Sequence, residues 1–236
     1  MRLHRAALSV AALLLVAACS GTAAATPAPT AAATAAPTAA PSTPAGSAAA
    51  AGGPDLSSCP TSQPPAMAKD ASKVVTITTA KGTIVIKVDG ALSPIAAGNF
   101  VALASCGYYA GVVFHRLVPG FVIQGGDGRY GREPNLDPNN VGTGGPAYTI
   151  QDEPVTADYK RGTVAMAKTP QPNSANSQFF IVLADLPTLP KNYQIFGTVT
   201  SGMDAVDAIA AMPNSGDPNN AALQPVAMDK VVVSNP

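Results

Sequence analysis

The chain has 236 residues, 12% of them charged, with 14 Lys+Arg balanced by 14 Asp+Glu and no tryptophan. That length holds one large domain or two small ones. Without a basic stripe or an RNA-type aromatic motif, the composition argues against a nucleic-acid partner.

The N-terminus, MRLHRAALSVAALLLVAACS, places Arg2 and Arg5 before an apolar run from Ala6 to Ala18. That run is too short to span a bilayer as a mature helix, so residues 1–18 read as a signal peptide. Val16-Ala17-Ala18-Cys19 resembles a bacterial lipobox, whose cysteine is diacylated on sulfur and becomes the new N-terminus. The alternative is an ordinary secretory peptide cleaved after small residues. Lipidation at Cys19 implies an extracytoplasmic protein anchored to a bacterial membrane, because several acyl chains hold where one is marginal. Cleavage removes Arg2, His4 and Arg5, leaving 12 basic against 14 acidic residues and His115 as the remaining histidine. A lone histidine counts against most hydrolase and metalloenzyme chemistry.

Residues 20 to about 53 are nearly all Ala, Thr, Pro, Ser and Gly, without a charge or a large apolar side chain, so they cannot bury enough surface to fold. Prolines 27, 29, 37, 41 and 44 interrupt every long alanine run. Residues 19–69 are assigned to a tether and 70–236 to the folded domain. Extended as polyproline II, the tether reaches on the order of 140 Å. Cys59 and Cys106 remain as an even pair, which outside the cytoplasm is expected to be a disulfide. Two free thiols are the alternative.

The folded part opens with alternation in Val75, Ile77 and Thr79, a turn at Lys81-Gly82, and alternation in Ile84, Ile86 and Val88, which predicts a β-hairpin. Ser93-Pro94 predicts an N-cap and a proline in the first turn of a helix ending near Cys106-Gly107. In the segment VFHRLVPGFVIQGGD (113–127), two strands flank the turn dipeptide Pro119-Gly120. Strand periodicity puts His115 and Arg116 on opposite faces, with His115 in the core or at the barrel end. Further strands are expected at 163–167, 178–183, 194–199 and 228–233, and a second helix at 203–211. Many short strands with two helices predict a mainly-β fold, a closed antiparallel barrel capped by helices. Asp-Pro-Asn-Asn occurs at 137–140 and again at 217–220 and reads as a turn in both places.

The chemistry is narrowed by what is missing. No G-x-S-x-G elbow accompanies His115, and no H-x-x-x-H or C-x-x-C spacing suggests zinc. Gly125-Gly126-Asp127-Gly128 and Gly142-Thr143-Gly144-Gly145 lack the helix and lysine of a phosphate loop and read as backbone bends beside a cleft. What stands out is Arg116, a permanent cation among aromatic and aliphatic residues and close to Gln124. It suits a fixed hydrogen-bond donor in a dry pocket rather than a proton shuttle.

FHRLVPGFVIQGGD (114–127), GTGG (142–145), MA (166–167), SQFFI (177–181), QIFG (194–197) and GMDAVDAI (202–209) occur in the order and approximate spacing of a cyclophilin. The resemblance covers roughly residues 73–234. It implies an eight-stranded antiparallel barrel with two capping helices and peptidyl-prolyl cis-trans isomerase activity. It also implies a non-covalent mechanism without metal or cofactor. By resemblance, Arg116, Phe121 and Gln124 are catalytic, with Gln124 orienting Arg116 or holding a substrate carbonyl. Val122, Phe180, Leu189 and Tyr193 would complete a proline pocket. Gly142, Ala167, Lys168, Thr169 and Gln178 would line the adjoining groove, with the backbone at Lys168 pairing with the peptide. Phe179, alternating with Phe180, belongs to the core. The family often has methionine at Val122, asparagine at Lys168, alanine at Thr169, tryptophan near Thr188 and histidine at Tyr193. The loop from Arg129 to Val141 is longer than in compact members. The implied partners are proline-containing exported polypeptides, and the expected state is a monomer. A proline-peptide binding module or holdase with little activity is the alternative function.

Overall fold

Side chains alternating every second residue build β1 (Ser72–Thr79) and β2 (Gly82–Asp89), which pair antiparallel with Thr79 opposite Gly82. In the computed structural model, which describes residues 54–236, Val75, Ile77, Ile84, Ile86 and Val88 are fully buried along these strands. The reversal uses Ala80-Lys81, one residue earlier than expected. Gly82, at φ 126°, already belongs to β2. Thr79 Oγ1 closes the turn by accepting the Lys81 N–H at 3.0 Å.

Helix α1 (Pro94–Ser105) begins at the expected proline, but Ser93 makes no capping bond with its side chain. The carboxylate of Glu153 caps it instead, accepting from the backbone N–H groups of Ile95 at 2.8 Å and Ala96 at 2.9 Å. An acidic group there also faces the positive end of the helix. The helix stops as Gly107 turns left-handed at φ 82°. Tyr108 N–H then donates to Leu103 O and Gly107 N–H to Ala104 O, a Schellman ending.

The remaining elements are β3 (Val113–Val118), β4 (Val122–Gly125), β5 (Thr163–Met166), β6 (Phe179–Val182), β7 (Ile195–Ser201), α2 (Met203–Ala210), β8 (Ala221–Ala227) and β9 (Lys230–Ser234). All strand pairs are antiparallel, in the order β8-β3-β4-β6-β5-β7-β2-β1-β9. β8 and β9 occupy opposite edges of this sheet, yet only Met228 and Asp229 separate them in the chain. The three steps from Ala227 to Lys230 span at most about 11 Å, so the sheet must curl until these corners of its two edges come together. The link is tied to both sides, Met228 N–H donating to Val112 O and Asp229 N–H to Thr78 O. The mainly-β architecture with two helices is therefore present as a curled sheet. It has nine strands, because β8 precedes the expected last strand as a separate segment.

The two faces of the sheet hold different apolar clusters. Inside, Phe100 of α1 stacks at 4.6 Å on Phe196 and meets Phe179 edge-on at 5.2 Å, with Tyr109 and Phe114 against the same group. Outside lies a second cluster of Val122, Tyr159, Ala165, Phe180, Val182 and Ile195. Phe179 and Phe180 thus take opposite faces, as strand periodicity predicts.

The signal segment, Cys19 and residues 19–53 of the tether lie outside the described residues. Residues 54–69, also assigned to the tether, run along the domain. Pro64 is buried, Met67 N–H donates to Pro94 O, and Gln63 accepts from Gln151 N–H at 2.9 Å. Cys59 and Cys106 are disulfide-bonded across a sequence separation of 47, fixing this segment to the end of α1. Closing a loop of that size stabilises by up to about 4 kcal/mol. Reduction is expected to lower the Tm by roughly 5–15 °C. Neither cysteine lines the cleft described below, so turnover at room temperature should stay within twofold. Thermal melts and activity with and without reductant check both halves.

Candidate active site

The outer apolar cluster is the floor of a cleft of about 470 Å³, within the usual size of a small-ligand site. Val122 and Phe180 rise from neighbouring strands β4 and β6, and Phe121 joins them after the Pro119-Gly120 turn, where Gly120 has φ 70°. Leu189 and Tyr193 come from the loop between β6 and β7. Tyr193 packs edge-on against Phe180 at 5.5 Å. Its backbone is clamped by Tyr159, whose hydroxyl accepts from Tyr193 N–H and donates to Tyr193 O, both at 2.9 Å.

The polar rim comes from three segments. Arg116 and Gln124 are register partners on β3 and β4. Gln124 Nε2 donates to Gln178 Oε1 at 3.1 Å, and Gln178 Nε2 donates to the carbonyls of Gly142 and Gly144, each at 2.9 Å. Gln124 therefore does not orient Arg116 through a hydrogen bond. Its amide is held by Gln178, and its Oε1 is left as an acceptor. Among the described residues the Arg116 guanidinium has no hydrogen-bonded or ion-paired partner, so its donors are available to a ligand. Ala167, Lys168 and Thr169 form the remaining edge just after β5. The Lys168 ammonium is drawn out of play by Asp152 at 2.5 Å. What Lys168 offers the cleft is its backbone, whose N–H and C=O are unpaired among the described residues.

All twelve residues assigned to catalysis or substrate binding from the sequence line this one cleft. Thr143, Ser174 and Asn176 line it too and were not assigned, although Thr143 lies inside the GTGG segment. Also unassigned was Asp127, which is fully buried behind the rim. Its carboxylate accepts from the backbone N–H groups of Arg129, Tyr130, Gly142 and Gly144 at 2.8–3.0 Å. The two glycine-rich segments are thereby tied to each other. Gly126, at φ 96°, passes so close to Ser177 O that a Cβ would lie 2.5 Å from it.

His115 corrects the sequence reading. Phe114 pairs with Gly125 while Arg116 pairs with Gln124, so His115 is the extra residue of a β-bulge. Phe114 and Leu117 both enter the core, and the bulge turns His115 and Arg116 to the same side, where they line a common groove. Burial pushes the His115 pKa down to about 4; the nearby Asp127 opposes this shift and Arg116 adds to it. The ring is neutral at pH 7 and shuttles no proton there. An unfolded histidine titrates near 6.5, so between pH 6.5 and 4 the unfolded chain binds the extra proton and stability falls as pH falls. The full effect is roughly 3 kcal/mol. Urea melts from pH 7 to 5 should show this slope, and His115→Gln should flatten it. An unchanged slope would contradict the assignment.

Among the described residues, no carboxylate, histidine or thiol lines the cleft, and one cation there is free. The cleft also offers amides and backbone groups over an aromatic and aliphatic floor, suited to gripping a small apolar ring and polarising an amide beside it. Residues 74–233 match the family described as cyclophilin type peptidyl-prolyl cis-trans isomerase. A probable peptidyl-prolyl cis-trans isomerase of Brucella abortus is 41% identical over 146 residues, covering 61% of this chain and 74% of the relative. Peptidyl-prolyl cis-trans isomerase A of Dickeya dadantii is 33% identical over 176 residues, covering 72% and 88%. The crystal structure of a Cryptosporidium parvum cyclophilin type isomerase superposes with a TM-score of 0.59 at 31% identity, covering 70% of this chain and 99% of that one. With the match to the family model spanning most of the described residues, the chain belongs to the cyclophilin type peptidyl-prolyl cis-trans isomerases.

Proposed function

We propose that the domain accelerates X-Pro isomerisation in exported polypeptides, with Arg116 as the catalytic donor. The observation that carries this reading is the unpartnered Arg116 guanidinium beside a floor of Phe121, Val122, Phe180, Leu189 and Tyr193. The prolyl bond resists rotation because amide resonance imposes a barrier of about 18–20 kcal/mol. As the bond twists, the nitrogen lone pair localises and becomes a hydrogen-bond acceptor. A guanidinium donor placed there binds the twisted state better than either planar isomer, and only such differential binding lowers the barrier. The apolar floor seats the ring and excludes water. The Lys168 backbone and the Gln124 amide hold the flanking peptide. No proton is transferred and no covalent intermediate forms. A related Cryptosporidium parvum isomerase was crystallised in the presence of the dipeptide Ala-Pro, which is in keeping with a site of this kind.

The export part of the proposal rests on residues 1–19, with Cys19 as the acylated N-terminus anchoring a monomer to a bacterial membrane. The tether then lets the domain reach chains emerging beside the membrane. Metabolic labelling with a fatty acid should mark the wild-type protein and not Cys19→Ser. An unmodified N-terminus at another residue in the native host would refute the anchor. Refolding of a denatured exported protein limited by proline isomerisation tests the activity. Residues 54–236 should shorten its slow phase, and an unchanged slow phase would oppose the reading.

A further inference from the structure

The Asp-Pro-Asn-Asn quartet at 137–140 and its repeat at 217–220 contribute nothing to the proline cleft. Both instead border a second groove of about 380 Å³, which shares Arg116, Gln124, Gly142 and Thr143 with the cleft. The two turns differ in backbone but share one side-chain contact. In each, the last asparagine donates from its side-chain amide to the leading aspartate, Asn140 to Asp137 at 2.7 Å and Asn220 to Asp217 at 2.8 Å. That leaves the preceding asparagine exposed, and among the described residues the side-chain amides of Asn139 and Asn219 have no partner.

Each turn is held at a fixed place. Asn220 O accepts from Leu117 N–H at 2.8 Å, and the next residue, Ala221, is the register partner of Arg116. The other turn leads into Gly142, whose N–H is held by Asp127. Between them the His115 ring, 6% exposed, borders the groove with both of its nitrogens buried.

We propose that the two turns flank an accessory subsite, continuous with the proline cleft through Arg116, that binds a short extended stretch of the same polypeptide by its backbone. The inference rests on the cleft being the prolyl site. Amides that donate and accept, with the Thr143 hydroxyl as a further acceptor, match alternating peptide N–H and C=O groups. Pro138 and Pro218 present flat apolar surface between them. Among the described residues the groove has no carboxylate and Arg116 as its single cation, so it selects for chain length and extension rather than for a charged side chain. The substrates it favours are unfolded segments that continue past the prolyl bond.

The test compares a short X-Pro tetrapeptide with versions lengthened by a few residues at either end, using wild type and the exposed-turn double variant Asn139→Ala/Asn219→Ala. One extension should raise wild-type kcat/KM about fivefold, chiefly through KM. The double variant should lose that gain while matching wild type on the tetrapeptide. No gain in wild type, a gain retained by the variant, or equal loss on short and long peptides would overturn the subsite. If wild type isomerises neither peptide, the isomerase reading fails instead. Calorimetry then decides the subsite, by whether the long peptide binds tighter to wild type alone.

Discussion

Replacing Arg116 with alanine is expected to lower kcat/KM for X-Pro isomerisation by at least about tenfold and to leave the Tm unchanged. The side chain has no partner among the described residues, so its loss orphans no buried group. The backbone of β3 keeps its pairing with β4 and β8. What disappears is the donor that meets the nitrogen lone pair in the twisted state, and one such donor contributes on the order of 3 kcal/mol. Arg116→Lys should recover only part of the loss, because a single ammonium does not reproduce the planar donor fork. A folded Arg116→Ala domain with normal turnover would refute the proposed role.

Asp127→Ala should be the more damaging change to the fold, by about 3–5 kcal/mol. Four backbone N–H groups converge on this buried carboxylate, and removing it leaves them without an acceptor. The loss extends to the cleft, since Gly142 and Gly144 also take the Gln178 amide that holds Gln124. Urea denaturation should show the fall in stability, and any folded fraction should have a raised KM. Asp127→Asn keeps one acceptor oxygen and should sit between alanine and wild type. A Tm for Asp127→Ala within about 2 °C of wild type would contradict the argument, given that 1 kcal/mol moves Tm by about 2–4 °C at this size.

Where the determinants were local, they could be read directly. Alternation in β1 and β2 placed Val75, Ile77, Ile84 and Ile86 inward, Pro94 and Gly107 bracketed α1, and Phe179 parted from Phe180 by strand parity. Long-range contributions were not visible. Glu153 caps a helix more than fifty residues away, and Asp127 gathers two loops through backbone groups that carry no sequence signature. β8 escaped notice because it contains Pro225 and buries just one side chain, Val226, so no period of two marks it. Segment 54–69 reads as linker by composition, yet the disulfide and Met67 hold it to the domain. The misplacement of His115 has one cause, a single inserted residue that reverses strand parity. Arg116 and Gln124 were legible as a pair from their own segment. The rest of the cleft came from the family likeness, since its loops converge only in the folded chain.

The most direct test of the central claim is exchange spectroscopy by NMR on an X-Pro peptide mixed with residues 54–236. Uncatalysed, cis and trans interconvert over tens to hundreds of seconds, too slowly to give exchange peaks. A catalytic amount of wild-type domain should bring interconversion into the sub-second range and produce cis–trans cross-peaks, while Arg116→Ala should leave them faint. Peptide resonances that shift on binding without exchange cross-peaks would mean that the cleft binds proline and does not isomerise it.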